Sequence, residues 1–242
     1  MLQRGVAYEI EIAGRAGTPL AVVLTKNSWN GRMLSAGAVP IGPRTEATSP
    51  FALPLDEDPA EDLDPSRLLA IPQEQIGRPV KELDDGSLHR LERALTELID
   101  ASRLLAEPPR GTRPIPGVID YPRLGEIYYR KGHRIEGEAK RYVVVSHDLW
   151  NQKNITVLVA RTTTQPKRPT DEFPIVQDGS AQVVCGELTA LPASALDLDN
   201  RPQGQKRLGL QDMAAVARGF TQTHLLRDYL NPIEAEIGRV EG

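Results

Sequence analysis

Apolar and polar residues alternate at the start of the chain. Residues 5–12 read GVAYEIEI, as expected of a strand with one face in a core. LAVVLT (20–25) and MLSAGAVP (33–40) are apolar runs of strand length, parted by the turn-forming pair Asn30-Gly31. FALPL (51–55) and RLLAIP (67–72) are shorter strand candidates. The period then changes. Over residues 88–105, Leu88, Leu91, Leu95, Leu98 and Ile99 recur at helical spacing, and Arg90, Arg93 and Glu97 lie off that stripe. Asp84-Asp85-Gly86-Ser87 offers N-caps just before it. The stripe predicts a helix packed on the strands.

The second half of the chain repeats this order. GEIYYR (125–130), RYVVVSH (141–147), ITVLVART (155–162), EFPIVQ (172–177) and AQVVCGELTAL (181–191) read as strands, and residues 210–230 as a closing helix. The repetition extends to residue identity. VVLTKNSWN (22–30) returns as VVVSHDLWN (143–151), an offset of 121 positions, and these segments contain both tryptophans of the chain. Gly5-Val6-Ala7-Tyr8 is answered by Gly125-Glu126-Ile127-Tyr128, and Ala70-Ile71-Pro72 by Ala190-Leu191-Pro192. An internal repeat of this length implies two copies of one unit. The implied domains are residues 1–106, a Pro-rich linker at 107–120, a second unit at 121–230 and a tail at 231–242. The linker EPPRGTRPIPG should be a semi-extended spacer. The acidic stretch at 55–66 reads as a solvated loop. Several short strands and one helix per unit predict a small, curved or barrel-like sheet.

Charge separates the halves. The 242 residues carry a formal −4, of which residues 1–120 contribute about −5 and residues 121–242 about +1. Residues 121–170 alone carry roughly +6, from a belt that includes Arg123, Arg130, Lys131, Arg134, Lys140, Arg141, Arg161 and Lys167. Such a belt is either a solvated face or a phosphate-binding surface. The one cysteine, Cys185, lies in an apolar run and reads as a small buried hydrophobe. No signal core or membrane-length apolar run is present, so a cytoplasmic location is expected. No zinc-ligand spacing, Gly-rich phosphate loop or nucleophile elbow occurs, and neither a metal nor a cofactor is expected.

Several short motifs stand in order in the second half: the GEIYY opening, a basic loop, RYVVVSHDLWN, ARTTTQPK, FPI and CGELTALPASAL. Together they resemble the MazF/PemK toxins, whose fold is shared with the gyrase-inhibiting CcdB toxins. The resemblance covers about residues 122–230, and more weakly residues 3–105. It implies a mainly β fold with α: two SH3-like small β-barrels, each closed by a C-terminal helix. It implies a metal-independent endoribonuclease that cuts single-stranded RNA, with the ribose 2′-hydroxyl attacking its own phosphate, and an antitoxin-like protein as partner. Family members usually pair as homodimers, so a repeated chain would be a pseudo-dimer whose copies pack on each other.

In that family an Arg before the second strand and a Thr after the third are most associated with the chemistry. Counting from Asn151, the Arg position falls on Lys140, beside Arg141, and the Thr position on Thr163. Thr163, Arg141 and Lys140 are therefore the candidate catalytic residues. Arg130, Lys131, His133, Arg134, Gln165 and Lys167 are the candidate RNA-binding residues. Which of Lys140 and Arg141 takes the Arg role stays open. A one-residue shift sends a side chain to the other face of a strand, and Lys lacks the planar fork of Arg. In the first half the same count gives Pro19 and Gly42, so that copy is chemically silent. The alternative is a non-catalytic protein of the same fold, binding an antitoxin-like peptide, a gyrase-like target or RNA. Trp29 and Trp150, present in both copies, read as fold residues. His147 and Asp148 are adjacent in a strand and should face apart. Glu187 either borders the site or caps a surface, and one of Tyr128 and Tyr129 must face the core.

Overall fold

The computed structural model describes residues 2–11, 19–44, 52–55, 60–99, 121–132, 141–164, 175–176, 181–198 and 207–224. The expected linker and tail lie outside these residues. In the first half the strands are β1 (Val6–Ile10), β2 (Leu20–Val23), β3 (Ser35–Pro43), β4 (Leu53–Pro54), β5 (Glu61–Leu63), β6 (Leu69–Pro72) and β7 (Ile76–Glu82). Short helix α1 (Asn27–Asn30) links β2 to β3, and α2 (Asp85–Ile99) follows β7. The second half has β8 (Ile127–Tyr129), β9 (Arg141–Val144), α3 (Asp148–Lys153), β10 (Thr156–Thr163), β11 (Ile175–Val176), β12 (Ala181–Pro192) and α4 (Leu210–His224).

The fold is mainly β, and the paired strands run antiparallel. A seven-stranded sheet runs β4-β5-β3-β2-β1-β7 with β6 also on β3, and a five-stranded sheet runs β11-β12-β10-β9-β8. Neither sheet closes on itself among the described residues. Two features depart from the sequence reading. β7 pairs with β1 but escapes pattern reading, because most of its residues are exposed and no alternation marks it. The acidic stretch is a solvated loop in neither its strand β5 nor the 3-10 turn that follows: Asp62, Leu63 and Asp64 are buried. Leu63 is drawn into the core, and the Asp64 carboxylate is satisfied by the amide and hydroxyl of Ser66.

The Trp-Asn segments build the same turn twice. In the first, Thr25 Oγ1 donates to Asn30 Oδ1 (2.6 Å), Asn30 Nδ2 donates to the Thr25 carbonyl (3.0 Å) and the Gly37 amide donates to Thr25 Oγ1 (3.2 Å). At an offset of 121, Ser146 Oγ donates to Asn151 Oδ1, Asn151 Nδ2 to the Ser146 carbonyl (2.9 Å) and the Leu158 amide to Ser146 Oγ (3.0 Å). Each indole N–H donates to a carbonyl six residues on, Trp29 to Ser35 (3.1 Å) and Trp150 to Thr156 (3.0 Å). A buried Asn needs all its polar atoms paired, and this closed loop supplies the partners. Gly5 and Gly125 both take positive φ (+82° and +79°), and each donates its amide to the strand running back, at Val23 and Val144.

Helix α2 follows its predicted stripe. Leu91, Leu95, Leu98 and Ile99 are buried, and the Asp84 carboxylate caps the helix through the Ser87 amide and hydroxyl. The ends of both long helices are completed by the opposite half. The His147 amide donates to the Leu98 carbonyl (3.2 Å), and the Lys26 amide donates to the Thr223 carbonyl (2.9 Å). Leu98 and Thr223 are each the next-to-last residue of a helix, where carbonyls lack intrahelical donors. Lys26 and His147 are themselves 121 residues apart. Arg4 adds its guanidinium to the His224 carbonyl (2.9 Å) and to Glu92 of α2. The main hydrophobic cluster accordingly mixes Leu24, Leu63, Leu95 and Leu98 with Val143, Trp150, Leu158, Cys185 and Phe220.

Candidate active site

The four described candidates, Thr163, Arg141, Arg130 and Lys131, lie at one end of the second sheet, where β8, β9 and β10 lie side by side. The register is Ile127 with Val143, Tyr128 with Tyr142 and Tyr129 with Arg141 between β8 and β9. Between β9 and β10 it is Val144 with Val159, Val143 with Ala160 and Tyr142 with Arg161. Paired residues share a face, and neighbours along a strand take opposite faces. Ile127, Val143, Leu158 and Ala160 therefore line the main core, and Tyr128, Tyr142, Val144, Val157 and Val159 form a second cluster on the other side.

This alternation sorts the candidates. Arg161 and Thr163 continue the face of Tyr142 and Val159, and the same count along β8 carries Arg130 to that face. Arg141 falls on the opposite face with Tyr129 and Thr162, whose hydroxyl donates to the Arg141 carbonyl (3.2 Å). The sheet thus brings Thr163 and Arg130 to one face and does not put Arg141 with them. Thr163 is half-buried at the end of β10, across from Gln182. Arg130 is half-buried and Lys131 exposed, and the Lys131 amide donates to the Ala195 carbonyl (2.8 Å). Lys140, His133, Arg134, Gln165 and Lys167 lie outside the described residues.

This face also carries Arg161, which was not a candidate site residue, and Glu187, whose reading from sequence was either a border of the site or a surface cap. Arg161 presents its guanidinium edge to Glu187: Nε lies 2.6 Å from Oε2, and Nη2 donates to Oε1 at 3.2 Å. Ser35, from the first half, donates its hydroxyl to the same Oε1 at 3.1 Å. Arg161 stands two residues before Thr163, so strand alternation carried the signal. Ser35 is 152 residues from Glu187, and no pattern in the chain reports that contact.

Between Ala160–Leu188 and Thr162–Val183 the β10–β12 register shifts, leaving β12 residues 184–187 opposite Arg161 alone. The indole of Trp29 packs on this irregularity against Val184. A Cβ on Gly186 would come within 2.2 Å of the indole, so only glycine admits it. At the corresponding place in the first half, Arg67 lies across Gly42, the counterpart of Thr163: its Nη1 is 2.8 Å from where a Cβ would be.

Three other residues singled out in the sequence, Tyr128, Asp148 and Cys185, have structural settings. Tyr128 is buried with its hydroxyl on Glu126, and Tyr129 is the more open of the pair. His147 and Asp148 do not share a strand as the sequence suggested: β9 ends at Val144 and Asp148 opens α3, its carboxylate accepting the Leu124 amide (2.6 Å) at the start of the second sheet. Cys185 is buried, as its apolar run predicts. Among the described residues no helix is long and apolar enough to cross a membrane.

No protein family and no curated protein matches the chain. Two similar solved structures are an endoribonuclease in complex with its cognate antitoxin and an endoribonuclease, both from mycobacterial species. The first is 17% identical at a TM-score of 0.35, covering 40% of this chain and 92% of its own. The second is 16% identical at a TM-score of 0.34, covering 39% of this chain and 88% of its own.

Proposed function

We propose that this protein is a toxin-like, metal-independent endoribonuclease for single-stranded RNA, built as a pseudo-dimer within one chain. In this reading a tandem duplication supplied two toxin-like barrels, over residues 1–106 and 121–230, and only the second keeps a site. The observation that carries it is the asymmetry at one matched position. Where the two halves share their turn, the second presents the Thr163 hydroxyl on the face of Arg130, and the first presents Gly42 beneath Arg67. The reciprocal closing of helix ends by Lys26 and His147 supports the pseudo-dimer, because a twofold interface repeats each contact with the roles exchanged.

In the reaction, the 2′-oxygen bonds to phosphorus as its proton leaves to a base. The bond from phosphorus to the 5′-oxygen then breaks, and that oxygen takes a proton, leaving a cyclic phosphate. The protein must move those protons and neutralise charge on the phosphate oxygens. Thr163 contacts the reacting group, Lys140 or Arg141 supplies the family cation, and Arg130, Lys131, His133, Arg134, Gln165 and Lys167 hold the RNA. Arg141 lies on the face opposite Thr163, which weighs against it in that role.

The test is incubation with single-stranded RNAs of varied sequence in EDTA. Cleavage that Thr163→Ala lowers at least ~100-fold is expected. Intact RNA at large protein excess would sink the proposal. The position of Arg141 favours a second reading, a non-catalytic member of the same fold. Tight RNA binding without turnover is its signature, and binding of an antitoxin-like peptide without RNA affinity is its variant.

A further inference from the structure

We propose that Arg161 grips the scissile phosphate beside Thr163, and that Glu187 and the first half's Ser35 hold it in position to do so. The inference rests on the ribonuclease reading and adds a residue and an inter-half contact to it. Arg161 and Thr163 leave the same face of β10, with Cα atoms about 7 Å apart at strand rise. That span suits two side chains meeting one phosphate.

The pairing of Arg161 is one-sided. Its Nε–Nη2 edge faces the Glu187 carboxylate, which leaves Nη1 and the outer hydrogen of Nη2 for another acceptor. The Arg161 side chain is 36% exposed and that of Glu187 16%, so the carboxylate sits behind the cation. A guanidinium fixed along one edge is preorganised, and little side-chain entropy remains to be lost on gripping phosphate.

The first half sets this geometry. The Ser35 hydroxyl holds Glu187, the Trp29 indole donates to the Ser35 carbonyl, and the same indole fills the space above Gly186. The second half's site is then incomplete without the first. The silent copy differs at the matching places: Pro40 stands at the counterpart of Arg161, and Arg67 reaches over Gly42. In the reaction Arg161 neutralises charge on the non-bridging oxygens and transfers no proton, so the bond making and breaking are as given above.

The experiment uses the full chain with Arg161→Gln, Arg161→Lys and Ser35→Ala, each with its urea midpoint. It reads cleavage of single-stranded RNA at saturation and binding of the same RNA with 2′-O-methyl riboses, which cannot be cut. Arg161→Gln should lower cleavage at least ~100-fold and weaken binding about 10-fold, with a salt slope smaller by about 0.7. Arg161→Lys, a point charge without the fork, should fall between, and Ser35→Ala should lose about 5-fold in turnover with its affinity kept. An Arg161→Gln protein that cuts and binds as the parent does, or that changes only its urea midpoint, overturns the inference and leaves the ribonuclease reading standing. If Arg161→Gln does not fold, Arg161→Lys and Ser35→Ala both at parental turnover overturn it equally. Parent protein that binds without cutting, with binding weakened by Arg161→Gln, keeps the phosphate contact and removes the ribonuclease. Parent protein that neither cuts nor binds removes both.

Discussion

The indole of Trp29 occupies the space that a side chain on residue 186 would need. Trp29 belongs to the first half and Gly186 to the second, so one tryptophan of the repeated turn serves as a key between halves. Gly186→Ala forces a methyl group against a ring that is fully buried and held by its own hydrogen bond. Overpacking of this kind costs about 1–3 kcal/mol or more. Urea unfolding should show that loss, and Trp29→Leu in the same chain should recover part of it. Gly42→Ala is the control. It meets only the tip of an exposed arginine, which can swing away, and its midpoint should stay near the parent's.

The two buried asparagines should matter alike. Asn151→Ala strands the Ser146 hydroxyl and carbonyl, and Asn30→Ala strands the same groups of Thr25. Each should cost about 1–3 kcal/mol in chemical denaturation. A small effect at either would mean that its turn is not the hydrogen-bonded unit described.

Stability should fall as the solution is acidified from neutrality. His224 is buried between the halves, its Nδ1 against the Phe220 carbonyl. Burial lowers its pKa from 6.5 to about 4; the Phe220 carbonyl opposes this, and Arg4 and Lys26 add to the lowering. Glu92 faces the same region through its ion pair with Arg4. The unfolded chain takes up this proton near pH 6.5 and the folded chain only near pH 4. The unfolded state therefore holds more protons in between, and stability is complete above that window and declines through it. The full loss is about 3 kcal/mol. Urea midpoints between pH 7.5 and 4.5 should fall in the parent and fall less in His224→Met. Equal slopes would show that another group carries the dependence.

Glu187→Gln keeps the shape of the Arg161 partner and removes its charge. Oε1 can keep its bonds from Arg161 Nη2 and the Ser35 hydroxyl while the new amide NH2 faces Arg161 Nε without accepting from it, so the fold should survive with its stability lowered by about 1 kcal/mol or less, as for a part-exposed pair. Under the proposed ribonuclease reading, turnover on RNA should fall about 10-fold with a looser guanidinium. Unchanged turnover would mean that the carboxylate does not position Arg161.

Much of the local structure was legible in the chain because it is local in origin. The α2 stripe, the Asp84 cap and the first strands of each half follow from spacing and from side chains that bond their own neighbours. The matched Trp-Asn segments announced the matched turns, because each turn's bonds close within twelve residues. The acidic stretch misled, since charge density masks the buried Leu63 that sets β5 and the local hydrogen bond that the Ser66 amide donates to Asp64.

The sequence by itself therefore determined the repeat, the mainly β content and the difference between Thr163 and Gly42, all of which are matters of residue type and spacing. Only the tertiary structure decided which side chains share a face and which half completes the other. Arg141 and Thr163 are close in the sheet yet point apart, because strand alternation inverts direction at every residue. Ser35, Glu187 and Arg161 meet because one half's turn docks on the other half's strand irregularity. Such contacts join residues far apart in the chain, and their energy comes from shape and hydrogen bonding that spacing along a sequence does not encode.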